Sequence, residues 1–188
     1  MDLLYQAVLS NSSFLDLLYA LDLDLAGKAQ AEGCPICGGA LHWASYWRKP
    51  RGVLATAGAA FRKRFSFCCA VRDCRKRLTP PSLRFLGRKV YLAAAVILLV
   101  VAATDILWRS SSAADRRTLG RWRTWWRSTF TATPIWRAKK AAFMPPADEA
   151  ALPASLLERF VGAPTEKVLA LLKFLGPITG GASAARAF

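Results

Sequence analysis

All five cysteines of this 188-residue chain fall between Cys34 and Cys74, in two tight clusters. The first reads Cys34-Pro35-Ile36-Cys37-Gly38-Gly39 and the second Cys68-Cys69-Ala70-Val71-Arg72-Asp73-Cys74. Two cysteines two residues apart, in a segment turned by Pro and Gly, aim both sulfurs at one point. Two such knuckles facing each other make the tetrahedral sulfur cage that Zn²⁺ prefers. The stretch from Cys34 to Pro81 is therefore the part around which the chain is organised. In the second knuckle, Cys68 and Cys69 compete, because neighbouring strand residues point to opposite faces. Phe65, Phe67 and Cys69 alternate in phase, and four residues separate Cys69 from Cys74. The expected ligands are thus Cys34, Cys37, Cys69 and Cys74, with Cys68 as the substitute and His42 as a further candidate for the fourth position. The competing reading is two disulfides and a spare thiol. The odd cysteine count, the glycines beside Cys37 and an N-terminus without a basic export segment weigh against it. The expected compartment is the cytoplasm, in association with the nucleoid.

Charge narrows the partners. The chain carries 27 Lys+Arg against 12 Asp+Glu. Residues 1–33 hold Asp2, Asp16, Asp22, Asp24 and Glu32 against Lys28 alone, so the excess lies beyond them. Residues 34–89 hold thirteen bases and a single acid, Asp73. Such a field calls for a polyanion, with nucleic acid first and an anionic membrane second. The apolar run Val90–Thr104 is about 15 residues, short of the roughly 20 that a membrane span needs. Arg88-Lys89 and Asp105 bound it. It reads as the buried helix of a helical domain.

The pattern predicts a mostly α chain with a small β zinc ribbon. Residues 1–31 read as N-terminal helices broken at Asn11-Ser12-Ser13, with an acidic face (Asp16, Asp22, Asp24) able to pack on the basic ribbon. Residues 32–81 are the ribbon, with strands at 40–48 and 61–69 and a hairpin tip at Gly52–Ala60. In the second strand Phe61, Phe65 and Phe67 share one face and Arg62 and Arg64 the other. Pro80-Pro81 closes the ribbon, and Ser82 is placed to cap the next segment. The basic stretch Arg75-Lys76-Arg77 through Arg84, Arg88 and Lys89 is a candidate for phosphate contact.

Residues 82–130 read as a helix-turn-helix-like domain: the buried helix Tyr91–Ala103, a short helix at Ile106–Ser110, a turn at Ser111–Ala114, then a helix from Asp115. At 100° per residue, Thr118, Leu119, Trp122, Trp125, Trp126 and Phe130 take one half of that helix. Arg116, Arg117, Arg121, Arg123 and Arg127 take the other. It buries its tryptophans and offers five guanidiniums, as a DNA-recognition helix does. Residues 131–153 read as an irregular linker anchored by Ile135-Trp136 and Phe143. Residues 154–188 read as a C-terminal helical hairpin, Ala154–Val161 and Thr165–Leu175, serving as an oligomerisation element or as cover for the core. A tail frayed beyond Gly176 completes it.

The order C-x-x-C…C-x4-C ribbon, basic Pro-Pro segment, apolar helix and Arg-Arg-Thr-Leu-Gly-Arg-Trp resembles the N-terminal DNA-binding half of bacterial insertion-sequence transposases and the short zinc-ribbon proteins encoded beside them. The similarity covers roughly residues 34–130. It implies a Zn²⁺ cofactor, double-stranded DNA as ligand and a transposase or recombinase as partner. The segment before the arginine helix is shorter than a full helix-turn-helix, and no nuclease half follows. The acids from Glu32 onward (Glu32, Asp73, Asp105, Asp115, Asp148, Glu149, Glu158, Glu166) do not end alternating strands, as a two-metal phosphoryl-transfer site requires. No P-loop, Gly-x-Ser-x-Gly or Cys/His dyad appears. The expectation is a non-enzymatic DNA-binding protein without a small-molecule substrate, open to self-association. The alternatives are an RNA-binding ribbon, with Trp43, Tyr46 and Trp47 stacking on bases, and a membrane-associated protein anchored by 90–104 and the tryptophan helix.

Overall fold

The computed structural model describes residues 7–48, 59–86, 92–102 and 116–181. The expected hairpin tip over 52–58, the short helix at 106–110, the turn at 111–114, the Asp115 cap and the basic pair Arg88 and Lys89 lie outside these residues. Within them the chain is mostly helical with small antiparallel sheets.

Helix α1 runs Ser12–Glu32. Asn11 caps it, its side-chain oxygen accepting from the Phe14 N–H at 3.0 Å, which satisfies one of the otherwise orphaned first-turn donors. Gly33, at φ +78°, turns the chain out of the helix toward the first knuckle. Phe14, Leu18, Asp22 and Ala26 recur every fourth residue along the buried face, so the central acid of the predicted acidic face is inside rather than outside.

The ribbon consists of β1 (Leu41–Trp43), β2 (Tyr46–Trp47), β3 (Lys63–Arg64), β4 (Phe67–Cys69) and β5 (Arg77–Leu78). β1, β4 and β5 form one antiparallel sheet in that order, and β2 pairs with β3. Its inner face, Leu41, Phe65, Phe67 and Cys69, packs with Cys34 against Ala26, Tyr19 and Ala29 of α1. The expected strand 61–69 is not continuous. A 3₁₀ turn (Ala59–Arg62) precedes β3, and Phe65-Ser66 interrupts the pairing before β4. Strict alternation is lost there, so Arg64, Phe65, Ser66 and Phe67 are all buried.

The main core is built on α2 (Ala93–Ala102), in which every residue from Ala93 to Val100 is buried. A helix enclosed on all sides needs no polar face, which explains its unbroken apolar sequence. No described helix is long and apolar enough to cross a membrane. Helix α3 (Arg116–Thr124) continues as a π-helical turn over Trp125–Phe130. Thr124 and Ser128 hydroxyls donate back to the Gly120 and Thr124 carbonyls at 3.1 and 2.6 Å, competing with the backbone ladder where the helix widens. The wide turn lets adjacent Trp125 and Trp126 both point inward. Their rings begin an aromatic chain through Phe130 and Trp136 to Phe143 and Phe174.

Residues 131–153 are not an irregular linker. Thr133 caps α4 (Pro134–Lys139), Pro134 takes the first helical position, and 3₁₀ turns come after it. Trp136 is the buried anchor, and its indole N–H donates to Glu149 Oε1 at 2.9 Å. Helices α5 (Ala154–Leu157) and α6 (Pro164–Leu175) bury Leu156, Leu157, Val168, Leu171, Leu172 and Leu175 in the main core. The pair covers the core, one of the two roles expected of it. Nor does the chain fray at Gly176. Residues 176–178 form a 3₁₀ turn, and Thr179 accepts from the Ser82 N–H at 2.7 Å.

Ribbon and helices are joined by a buried ion pair. Asp22 Oδ2 accepts from Arg84 Nε at 2.8 Å and from Ser82 Oγ at 2.5 Å, while Oδ1 accepts from the Leu83 N–H at 2.6 Å. The rest of the Arg84 guanidinium donates to the Phe61 and Lys63 carbonyls at 2.8 and 3.0 Å. Both side chains are fully enclosed. Ser82 does cap the next turn, its hydroxyl accepting from the Arg84 and Phe85 N–H groups, but that turn is not a helix.

Candidate metal centre

The two knuckles have the same construction. In the first, the Cys34 N–H donates to the Gly39 carbonyl at 2.9 Å and the Gly38 N–H to the Cys34 carbonyl at 2.8 Å. In the second, the Cys69 N–H donates to the Lys76 carbonyl at 2.9 Å. In each, the residue after the second cysteine has positive φ: Gly38 at +71° and Arg75 at +44°. Gly38 takes that conformation without strain, whereas Arg75 pays for it. Gly39 is glycine for a different reason. A Cβ there would lie 2.5 Å from Val71 Cγ2 and 3.4 Å from the Cys37 and Cys69 sulfurs, so the knuckles close only over a bare backbone.

This brings the sulfurs of Cys34, Cys37, Cys69 and Cys74 within 4.8 Å of one another. Cys34 and Cys74 sulfurs are 3.7 Å apart, Cys37 and Cys69 sulfurs 3.4 Å. Four sulfurs at about 2.3 Å from a common centre stand about 3.8 Å apart, so a tetrahedral metal fits with small adjustments. None of the five cysteines is in a disulfide. Cys69 is thus the inward member of its pair. Cys68 lies outside the cluster, half-buried, with its Sγ 3.6 Å from the Arg75 carbonyl. His42 is paired across the strands with Cys68 and is exposed on that same outer face, away from the sulfurs.

Comparison of the chain with protein families, with curated proteins and with solved structures finds no match. The chemistry of the cluster must therefore speak from its own residues. The backbone N–H groups of Ile36 and Cys37 draw the Cys34 thiol down to about 7. Burial pushes the Cys69 thiol up. At Cys37 and Cys74 the N–H groups of Gly39 and Lys76 favour the thiolate, yet neighbouring sulfurs and burial outweigh them and both thiols sit above the usual value. One sulfur is eased toward ionisation and three resist it. A divalent cation at the centre would supply the charge that lets all four ionise.

The expected nucleic-acid residues divide sharply. Arg62, Arg75, Lys76 and Arg77 are exposed on the ribbon. Arg116, Arg117, Arg121 and Arg127 are exposed on α3 and its π-helical extension, with Arg123 half-buried, while Thr118, Leu119, Trp122, Trp125, Trp126 and Phe130 are buried on the other side. Arg64 and Arg84 are not surface residues. Each is 1 % exposed, and neither reaches a phosphate. Arg84 is spent on Asp22, and Arg64 donates to the Pro80 and Thr179 carbonyls at 2.7 and 3.3 Å. Burial lowers the Arg64 pKa to about 10. The misassignment has a physical origin, because the broken strand turns Arg64 inward. For Arg84 the signal was present: it sits inside the apolar run Leu83-Arg84-Phe85-Leu86, and Asp22 stands among the leucines of α1.

Proposed function

We propose that this chain is a zinc-ribbon protein that binds duplex DNA without catalysing a reaction on it. The observation that carries the metal half is the convergence of Cys34, Cys37, Cys69 and Cys74. Four thiolates in tetrahedral reach of one another select zinc over harder cations, which favour oxygen ligands. The DNA half is supported by α3, whose Arg116, Arg117 and Arg121 lie exposed opposite a buried face that includes Trp122. Arg75, Lys76 and Arg77 of the ribbon add sequence-independent phosphate contacts. The resemblance to insertion-sequence DNA-binding proteins makes an accessory or regulatory role beside a recombinase the preferred setting.

The test is a titration of labelled duplex across salt concentrations. Affinity falls steeply with salt, each phosphate contact contributing about 0.9 to the log–log slope. Lys76→Ala with Arg77→Ala weakens all duplexes alike and flattens the slope by about 1–2. Arg117→Ala or Arg121→Ala instead erases the preference for a cognate site, at about 1–3 kcal/mol per lost base contact. A salt-independent affinity, or none, refutes the reading.

A further inference from the structure

We propose that the outer face of the β2–β3 strand pair binds unpaired nucleotides, with the Trp47 indole as the stacking platform and Lys63 and Arg62 as phosphate partners. This site is separate from the α3 arginines and rests on the duplex reading only in that both put nucleic acid on this chain. Trp122, Trp125, Trp126 and Trp136 are at most 5 % exposed, whereas Trp47 is 66 % exposed. The register explains its position. Tyr46 pairs with Arg64 and Trp47 with Lys63, and successive strand residues face opposite ways. Since Arg64 is buried, Trp47 and Lys63 share the solvent face.

One cation stands beside that ring: Lys63 Nζ is 5.9 Å from the Trp47 ring centroid. Arg62, its neighbour in sequence, is exposed. On the reverse side, Arg48 and Arg77 lie 5.3 and 5.6 Å from the Tyr46 ring centroid. Among the described residues of the ribbon, 34–48 and 59–78, Asp73 is the single acid, and it belongs to the second knuckle. Trp47 is the more exposed of the two exposed ribbon indoles, at 66 % against 48 % for Trp43, and with Lys63 beside it offers a π-face and charge for a polyanion. That suits a base whose own face is free. Paired bases hide theirs in the stack, which is why the occupant is a single strand.

The experiment uses the zinc-loaded full chain with fluorescein-labelled oligothymidylate and oligouridylate of about twenty nucleotides, and a duplex of the same length. The parent protein binds the single strands. Trp47→Ala weakens them about tenfold or more, as expected for one lost base stack, and leaves duplex affinity unchanged. Trp47→Phe keeps most of the binding, and Lys63→Ala flattens the single-strand salt slope by about 1. Preference for the thymidylate or the uridylate reports the 2′-hydroxyl and the base 5-methyl group together, and both results support the site. Arg117→Ala with Arg121→Ala has the converse effect, weakening the duplex alone. If Trp47→Ala holds single strands as tightly as the parent, with zinc content and circular dichroism unchanged, the proposal is overturned. Binding of duplex but of neither single strand overturns it as well. Trp47-dependent binding of single strands without duplex binding leaves this site standing and removes the duplex reading.

Discussion

Cys34 and Cys69 hold equivalent places: each donates its backbone N–H, at 2.9 Å, to the carbonyl of the residue two positions after the second cysteine of its knuckle. Those acceptors are Gly39 and Lys76, although the first knuckle has two residues between its cysteines and the second has four. The shared bond, not the sequence spacing, sets where the sulfurs arrive.

On the zinc reading, purified protein holds about one zinc per chain. Cys34→Ser, Cys37→Ser, Cys69→Ser and Cys74→Ser each lose it, while Cys68→Ser retains it. Mass-spectrometric metal analysis of the five variants decides the matter. Full occupancy in Cys34→Ser would remove the assignment.

Gly39→Ala places a methyl group against Val71 Cγ2. The expected cost is about 1–3 kcal/mol of overpacking, read as a lower urea midpoint. Adding Val71→Ala opens that space and recovers most of the loss. A second substitution that brings no recovery would place the fault elsewhere than in the contact.

Removing one partner of the buried pair leaves the other as an uncompensated charge, so Asp22→Ala and Arg84→Ala are each expected to cost about 3–5 kcal/mol. Because the two share one network, the double variant costs less than the sum. Strict additivity in denaturant unfolding would mean that the pair is not coupled.

Glu149 gives a pH dependence. The Trp136 N–H and then Lys140 hold its carboxyl below the usual 4.5. A lowered folded-state pKa contributes stability above the unfolded value, and that contribution disappears as pH falls through the folded one. Glu149 is about half exposed, which keeps the effect small. The melting temperature of Glu149→Gln lies below that of the parent at neutral pH, and the gap narrows below pH 4.5. A gap independent of pH would assign the loss to the neutral hydrogen bond instead.

The cysteine cluster was legible because metal geometry is short-range. Two knuckles and the phase of Phe65, Phe67 and Cys69 were enough to choose among five thiols. The buried face of α3 was legible for a similar reason, since 3.6-residue periodicity is local. What the sequence hid was the fate of individual arginines. Arg62 and Arg64 look alike in a strand pattern, yet the 3₁₀ turn at Ala59–Arg62 and the break at Phe65-Ser66 send one outward and the other inward. Arg84 sits in an apolar run that signals burial, but its partner Asp22 is 62 positions away, and no local pattern names that partner. The stretch 131–153 was misread because its four prolines suggested a linker. Pro134 in fact begins a helix, in the one helical position where a missing N–H costs nothing.

The acceptor of the Ser82 N–H is Thr179, 97 positions downstream, and the Arg64 guanidinium reaches the same residue's carbonyl across 115. A ribosome delivers Thr179 well after Ser82 and Arg64, the residues that it joins. The knuckles are complete once Lys76 has left the exit tunnel, before Thr179 follows. On the zinc reading, a nascent chain can therefore take up metal early, while the seat between ribbon and helices stays open until Thr179 emerges.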